Sequence, residues 1–485
     1  MELPEFNHDA IQLANKRDYD TLHDVPPWVG PILARAYAEQ RDTLLREISG
    51  KAHFAFHASK PYSTALSPGC RLCGEGLWSC LFINNICNAS CFFCPTEQKT
   101  IDKPGTNTLT FSNPRDYIDY LEYFGFRGVS ISGGEPFLSF DLSMTFLSRI
   151  KKRFGENLYV WLYTNGALAD EDTLRMLRDA GLDEIRFNIH AAGYDLEKIG
   201  MAVGIIPRVT VEIPAVPEET RILTEKAHEM NEMGVDFLNL HQIRCTPFNS
   251  AKLSARGYTL THGPKVGVPE SEICALTLLA HALRADYRLG VNYCSLIYRH
   301  RFQTRSARRR WAEHIKKPFE DITPAGVIRT LSLKGPHADI MNVKQRLVSR
   351  DISSELWEAP PRGDRIFLSS ALLPKLDTRA LALAISYSIS SLHPSVTYRN
   401  AYREIQLNPS RSVVIERRPV FPDMELTDSE HDFYIQRVLL PENDLFDIDT
   451  LYTQVQQFCT DQESIQKWQL ILHCERLRSG LLEYF

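Results

Sequence analysis

The chain has 485 residues, 44% of them hydrophobic and 24% charged, with a formal net charge of -5. These ordinary values exclude a disordered, collagen-like or low-complexity chain and leave room for two or three domains with their own cores. A balance of 55 basic and 60 acidic residues by itself points to neither nucleic acid nor a membrane surface as a partner.

No stretch approaches the roughly 20 apolar residues of a membrane helix. The longest candidate, Ala380 to Leu392, is short and broken by serines and Tyr387. Met1-Glu2-Leu3-Pro4-Glu5 shows no basic region followed by an apolar core, so the expected compartment is the cytosol.

In chain order, residues 1 to 60 offer one helix, Ile32 to Ile48. Ser79 to Ile86 reads as a buried strand and Pro114 to Phe124 as a helix. Strands at Val129 to Ser132, Leu158 to Tyr163 and Glu184 to Ile189 then alternate with helices at Asp141 to Phe154 and Asp170 to Ala180. A weak helix at Tyr194 to Gly200 leads to a strand at Arg208 to Ile213, a helix at Glu218 to Met233 and a strand at Phe237 to His241. Such alternation predicts an α/β fold with a parallel sheet of six or more strands. A helix from about Glu270 to Arg288 and a further strand at Val291 to Cys294 follow. From about Leu331 short strands and helices mix, broken by the turn-rich Glu358 to Gly363.

Six of the eleven cysteines fall between Cys70 and Cys94. In a reducing compartment such crowding suits a metal or an iron-sulfur cluster better than disulfides. The second half of the group, Cys87-Asn88-Ala89-Ser90-Cys91-Phe92-Phe93-Cys94, is a C-x3-C-x2-C triplet just after a predicted strand. Three thiolates on one loop can bind three irons of a four-iron cluster and leave the fourth open to a non-protein ligand. Ser132-Gly133-Gly134-Glu135-Pro136 closes the next strand, and Tyr163-Thr164-Asn165-Gly166 the third.

In this order and spacing the motifs resemble the radical S-adenosylmethionine (SAM) superfamily, over about residues 79 to 245. The resemblance implies a partial (β/α)6 barrel, to which the sequence pattern adds an N-terminal wrap and a mixed α+β C-terminal domain. It implies a 4Fe-4S cluster on Cys87, Cys91 and Cys94, and SAM bound to the open iron and cleaved to a 5'-deoxyadenosyl radical. In the superfamily, the Gly133-Gly134-Glu135-Pro136 element would hold the methionine amino group. Thr164 and Asn165 would make polar contacts to SAM, and Phe93 would lie against the adenine. An electron donor such as flavodoxin or ferredoxin is implied as a partner, with an unidentified substrate.

The glycine-rich elements are similar to those of relatives of the pyruvate formate-lyase activating enzyme. Such activases carry Asp-x-Lys at the end of the fourth strand, where this chain has Asn188-Ile189-His190. Their substrate is therefore not carried over. Alternation would place Asn188 with His190, and Asn239 with His241, on one face of their strands, as contacts to SAM or substrate or as satisfied interior groups. Glu212 is a further candidate at the end of the fifth strand.

Upstream, Cys70-Arg71-Leu72-Cys73 is a metal-knuckle spacing, and Cys80 follows it at the start of the first strand. Cys294 is the preferred fourth ligand, with Cys245 and Cys274 as alternatives. Either zinc or a second iron-sulfur cluster would suit the set.

Arg299 to Lys317 carries six arginines, two lysines and one acid, whereas Asp423 to Asp449 carries nine acids and one base. Pairing of the two stretches, a phosphate-bearing substrate and plain solvation are the three readings. The expected domains are 1–69 as an N-terminal helical extension, 70–250 as the barrel with its cysteine-rich entry, 251–330 as a helical extension with the basic helix, and 331–485 as the mixed domain. The alternative function is a non-catalytic zinc-binding interaction protein contacting nucleic acid.

Overall fold

The computed structural model describes residues 7–22, 24–100, 103–376, 381–439 and 448–485. Residues 440–447 of the acidic stretch, Ala380 and Met1–Glu5 thus lie outside the described residues. Two compact units are present. One holds Asn7–Thr304 with Leu407–Arg411 and Gly480–Phe485; the other holds Arg305–Gln406 and Ser412–Ser479.

The first unit is built on seven parallel strands that neighbour one another in chain order: Trp78–Phe82 (β1), Gly128–Ser132 (β2), Tyr159–Thr164 (β3), Glu184–Phe187 (β4), Val209–Pro214 (β5), Phe237–His241 (β6) and Gly290–Cys294 (β7). The strand expected at Val291 to Cys294 therefore extends the six-stranded barrel run by one. Antiparallel strands Lys60–Tyr62 and His53–Ala55 continue the sheet beyond β7. Helices Pro114–Tyr123, Phe140–Phe154, Glu171–Asp179, Thr220–Met233 and Pro269–Arg284 stand where the 3.6-residue period places them.

The period of two along each strand divides the sheet into an apolar face and a polar one. Val129, Ile131, Val160, Leu162, Ile185, Val211, Ile213, Leu238 and Leu240 are all at most 1% exposed. The alternate positions Ser130, Tyr163, Arg186, Glu212, Asn239 and Asn292 are brought level across neighbouring strands. The helix Pro68–Gly74 lies across the strand starts, with Leu72 against Gly128 and Gly69 against Trp161, Glu184 and Arg186.

Three expectations change. The strand expected over Ser79 to Ile86 stops at Phe82. The Asn84 amide turns to donate to the Glu135 carbonyl (3.1 Å) and Ser139 Oγ (2.9 Å), while Asn85–Ile86 pairs with Lys99–Thr100. β4 ends at Phe187 and passes into a 3-10 turn over Ile189–Ala192, so Asn188 and His190 are not alternate residues of a strand face. Residues 1 to 60 hold a second helix, His8–Tyr19, capped by Asn7 Oδ1 accepting the Ala10 N–H at 3.1 Å.

The second unit contains an eight-stranded sheet in which Ile328–Lys334 pairs antiparallel with Ala382–His393 and Arg365–Leu368. Helices Ile448–Phe458 and Gln462–Glu475 pack on it through Leu451, Val455, Trp468 and Ile471. Within this unit the acidic Glu425, Glu430 and Asp449 pair with Lys334, Lys467 and Arg478, partners other than the basic stretch that the sequence suggested.

Candidate functional site

The loop after β1 carries Cys87, Cys91 and Cys94, all partly exposed. It is tied down at both ends. The Cys87 N–H donates to Gln98 O at 3.3 Å, Asn249 Nδ2 to Phe93 O at 3.1 Å and Thr246 Oγ1 to Pro95 O at 2.9 Å. Burial, and then the neighbouring Cys87 and Cys94 thiols, push the Cys91 thiol up to about 11. Thiols gathered this closely on one loop suit a cation-rich cluster, which binds thiolates and releases their protons.

The glycine pair serves the loop itself. A Cβ on Gly133, whose φ is +140°, would stand 2.4 Å from Asn84 O, and one on Gly134 would stand 2.0 Å from Ile86 O. The expected ligand cradle is thus first a place where two backbones meet. Glu135 is 1% exposed, and its carboxylate accepts from Asn165 N (2.7 Å), Thr164 Oγ1 (2.8 Å) and Phe137 N (3.0 Å). Burial raises its pKa against those three hydrogen bonds. Pro136, also buried, begins a short 3-10 turn over Pro136–Ser139.

Asn165 Nδ2 in turn donates to Asn88 Oδ1 at 2.6 Å, beside the Cys87 sulfur at 3.9 Å. Asn88, Ser90, Cys91, Asn165 and His190 line one open cavity of about 350 Å³. Phe93 borders it indirectly, its ring edge-on to His190 at 4.8 Å. His190 Nδ1 at this cavity, and Asn188 Oδ1 two residues before it, are buried and have no hydrogen-bond partner. Such atoms call for a ligand with donors, so the donor set fits a cluster and an amino- and hydroxyl-bearing molecule.

The upstream cysteines meet elsewhere in the same unit. Cys70, Cys73, Cys80 and Cys294 all line a cavity of about 250 Å³ inside the barrel. Cys245 and Cys274 do not: Cys274 accepts from Thr220 Oγ1 at 3.2 Å, and Cys245 lies in an apolar cluster with Ile243, Leu260 and Val268. Among the described residues no three His, Cys, Asp or Glu side chains converge tightly enough to hold a single metal ion.

The wall of that cavity is a charge network. Arg186, 3% exposed, donates to Glu184 (2.8 Å), Glu212 (2.6 Å) and Ser67 Oγ (2.9 Å). Glu212 also accepts from Asn239 Nδ2 (2.9 Å) and lies 2.7 Å from His241 Nε2. Burial opposes its ionisation, but Arg186 and His241 hold its pKa well below the ordinary carboxylate range. His241 Nδ1 faces the Arg299 guanidinium, which can only donate, so the ring is neutral with its proton on Nε2. Burial and Arg299 lower the His241 pKa to about 4. Asn239 and His241 thus share a face, as the alternation predicted, but they line this interior cavity.

Arg186, Lys60 and Gln303 were not foreseen. Arg186 carried a signal, since a lone arginine between Ile185 and Phe187 in a strand covered on both sides needs buried partners. Lys60 and Gln303 carried none, because they reach the cavity from segments remote in sequence. The basic stretch is also two elements, Arg299–Thr304 as a π-helical turn and Arg305–Glu313 as an α-helix. Its first part points inward, with Gln303 Nε2 2.7 Å from Cys73 Sγ and Arg301 Nη1 2.6 Å from Gly480 O.

Residues 81–212 match the model of the radical SAM superfamily. A Methanocaldococcus jannaschii protein, provisionally named a glycyl-radical enzyme activating enzyme, is 27% identical over 343 residues, 68% of this chain and 90% of its own. The GTP 3',8-cyclase of Aquifex aeolicus is 33% identical over 106 residues, 22% of this chain and 32% of its own length. Among solved structures, SuiB of Streptococcus suis aligns at 13% identity and a TM-score of 0.33, covering 45% of this chain and 49% of that one. Among the described residues no helix is long and apolar enough to cross a membrane. The family match speaks for an enzyme and against the zinc-binding, nucleic-acid-contacting alternative: residues 81–212 form a radical SAM domain, and the chain has activating-enzyme-like relatives.

Proposed function

We propose that the triplet Cys87, Cys91 and Cys94 holds a 4Fe-4S cluster and that SAM occupies the adjoining cavity. The observation that carries this is the meeting of the cysteine loop, the Glu135–Asn165 junction and the unpartnered His190 Nδ1 around one space. Bound there, the reduced cluster and SAM would supply a 5'-deoxyadenosyl radical for hydrogen abstraction.

The chain's own residues order and shield that space. Glu135, buried behind the cavity wall, fixes the Thr164–Asn165 turn that lines it. Asn188 and His190 offer acceptors to the rest of the molecule, and Phe93 supplies an apolar wall. Gly133 and Gly134 keep the cysteine loop against the strand ends. A small cytosolic carrier such as flavodoxin or ferredoxin would deliver the electron to the exposed side of the loop.

The Methanocaldococcus relative suggests a polypeptide glycine as substrate. Asn188-Ile189-His190, in place of the activases' Asp-x-Lys, leaves that substrate class to be tested directly. The test of the reaction is anaerobic reconstitution with iron and sulfide, then reduction in the presence of SAM. 5'-Deoxyadenosine should form with the unaltered chain and not with Cys91→Ala. Its absence from protein whose triplet carries iron would overturn the reading.

A further inference from the structure

We propose that the barrel interior holds a second iron-sulfur cluster, ligated by Cys70, Cys73 and Cys294 and neutralised by Lys60 and Arg299. This site is separate from the triplet and does not depend on the reading given there.

The ligands come from two remote segments. Cys70 and Cys73 lie one turn apart on the helix Pro68–Gly74, and Cys294 ends β7 on its inward face. All three border the 250 Å³ cavity. Their surroundings are those of sulfur acceptors: Asn239 Nδ2 lies 3.3 Å from Cys70 Sγ and Gln303 Nε2 lies 2.7 Å from Cys73 Sγ. Arg299 lines the same wall.

Lys60 shows that the space takes an anion. It is 1% exposed, lines the cavity beside Cys73 and Cys294, and lies 4.5 Å over the Tyr298 ring, with no ion pair to a carboxylate among the described residues. A cation at that depth needs its counter-charge on the cavity wall, and the facing Cys73 and Cys294 sulfurs are the groups placed to carry it. A thiolate-ligated cluster is a buried anion, and it meets that need where a neutral metabolite would not.

A cluster also fits the spacing. Zinc, with sulfur bonds of about 2.3 Å, would need its thiolates drawn onto one point. In a cluster each thiolate binds a different iron, so the sulfurs can stand around a volume. Cys80, foreseen as a ligand, borders the cavity from β1, where Ser130 and Ser132 hydrogen-bond its thiol, and it is left outside the set.

The test uses the full chain carrying Cys87→Ala, Cys91→Ala and Cys94→Ala, reconstituted anaerobically. It should keep roughly half of the unaltered protein's iron and sulfide, with the visible absorbance of a thiolate-bound cluster. Adding Cys294→Ala, or Cys70→Ala with Cys73→Ala, should remove both, while adding Cys80→Ala should not. A triple variant that is folded by circular dichroism but free of iron, or that binds one zinc and no sulfide, overturns the proposal. Lys60→Met in the otherwise unaltered chain should keep the iron and move the second cluster's midpoint potential to more negative values, because a cation that favours the reduced state is gone. An unchanged potential overturns the role given to Lys60.

Discussion

Glu135 Oε2 accepts the backbone N–H of Asn165 at 2.7 Å, which fastens the end of β2 to the turn after β3. The carboxylate acts on the site through that turn, because Asn165 stands next to Asn88 and Cys87. Glu135→Gln presents a donor group to protein N–H and O–H donors. It should cost about 1–3 kcal/mol of stability in urea unfolding and lower 5'-deoxyadenosine formation. Unchanged stability would show that the three hydrogen bonds are not made.

Gly134→Ala should be more damaging than its size suggests. The added methyl would meet the Ile86 backbone oxygen at 2.0 Å, and neither backbone has a flexible side chain to give way. A loss of at least about 3 kcal/mol is expected, together with reduced iron uptake at the triplet, read by iron analysis after reconstitution.

His190→Phe should separate binding from folding. The ring already packs among Phe92, Phe93 and Tyr194, so phenylalanine keeps the ring contacts, gives up only the long 3.7 Å approach of Nε2 to Glu219 and removes the unpartnered Nδ1. Thermal stability should hold or rise. The KM for SAM should increase about tenfold, the equivalent of one lost hydrogen bond of about 1.4 kcal/mol. An unchanged KM would remove His190 from the ligand's contacts.

His262 gives a pH dependence of stability. It is 3% exposed, stacked on Trp28 at 4.0 Å, and burial together with Lys16 lowers its pKa to about 4. The unfolded chain takes up this proton near pH 6.5, whereas the folded chain resists until about pH 4. Stability is therefore full above pH 6.5 and falls as the pH drops toward 4, by on the order of 3 kcal/mol. His262→Phe should flatten that part of the profile in denaturant titrations at stepped pH.

The parts of this architecture that were legible are those written in local order. The cysteine triplet, the glycine pair and the alternation of strands and helices each lie within a few consecutive residues, so their spacing carried them. Non-local contacts were hidden. That Gly133 and Gly134 are needed for Asn84 and Ile86 depends on where the chain folds back after Phe82. Extending β4 to Ile189 followed from its apolar run, but that run continues through a 3-10 turn. The interior cavity needed Lys60, Arg186 and Gln303 beside the foreseen Cys70, Cys73 and Cys294, and no periodicity links those positions.

Residues 480–485 belong to the barrel unit although 175 positions, 305–479, are spent largely on the other one. Leu482 O accepts from Arg41 Nη1 at 2.6 Å, Phe485 O from His262 N at 3.0 Å, and Tyr484 hydrogen-bonds Glu272. During synthesis the strands β1 to β7 leave the ribosome long before these partners exist. The barrel must then wait, with buried Arg41 and Glu272 not yet fully paired, until the intervening unit has been made. The contacts of residues 480–485 thus close a loop of very long sequence separation, whose entropy grows only slowly with the length of the intervening unit.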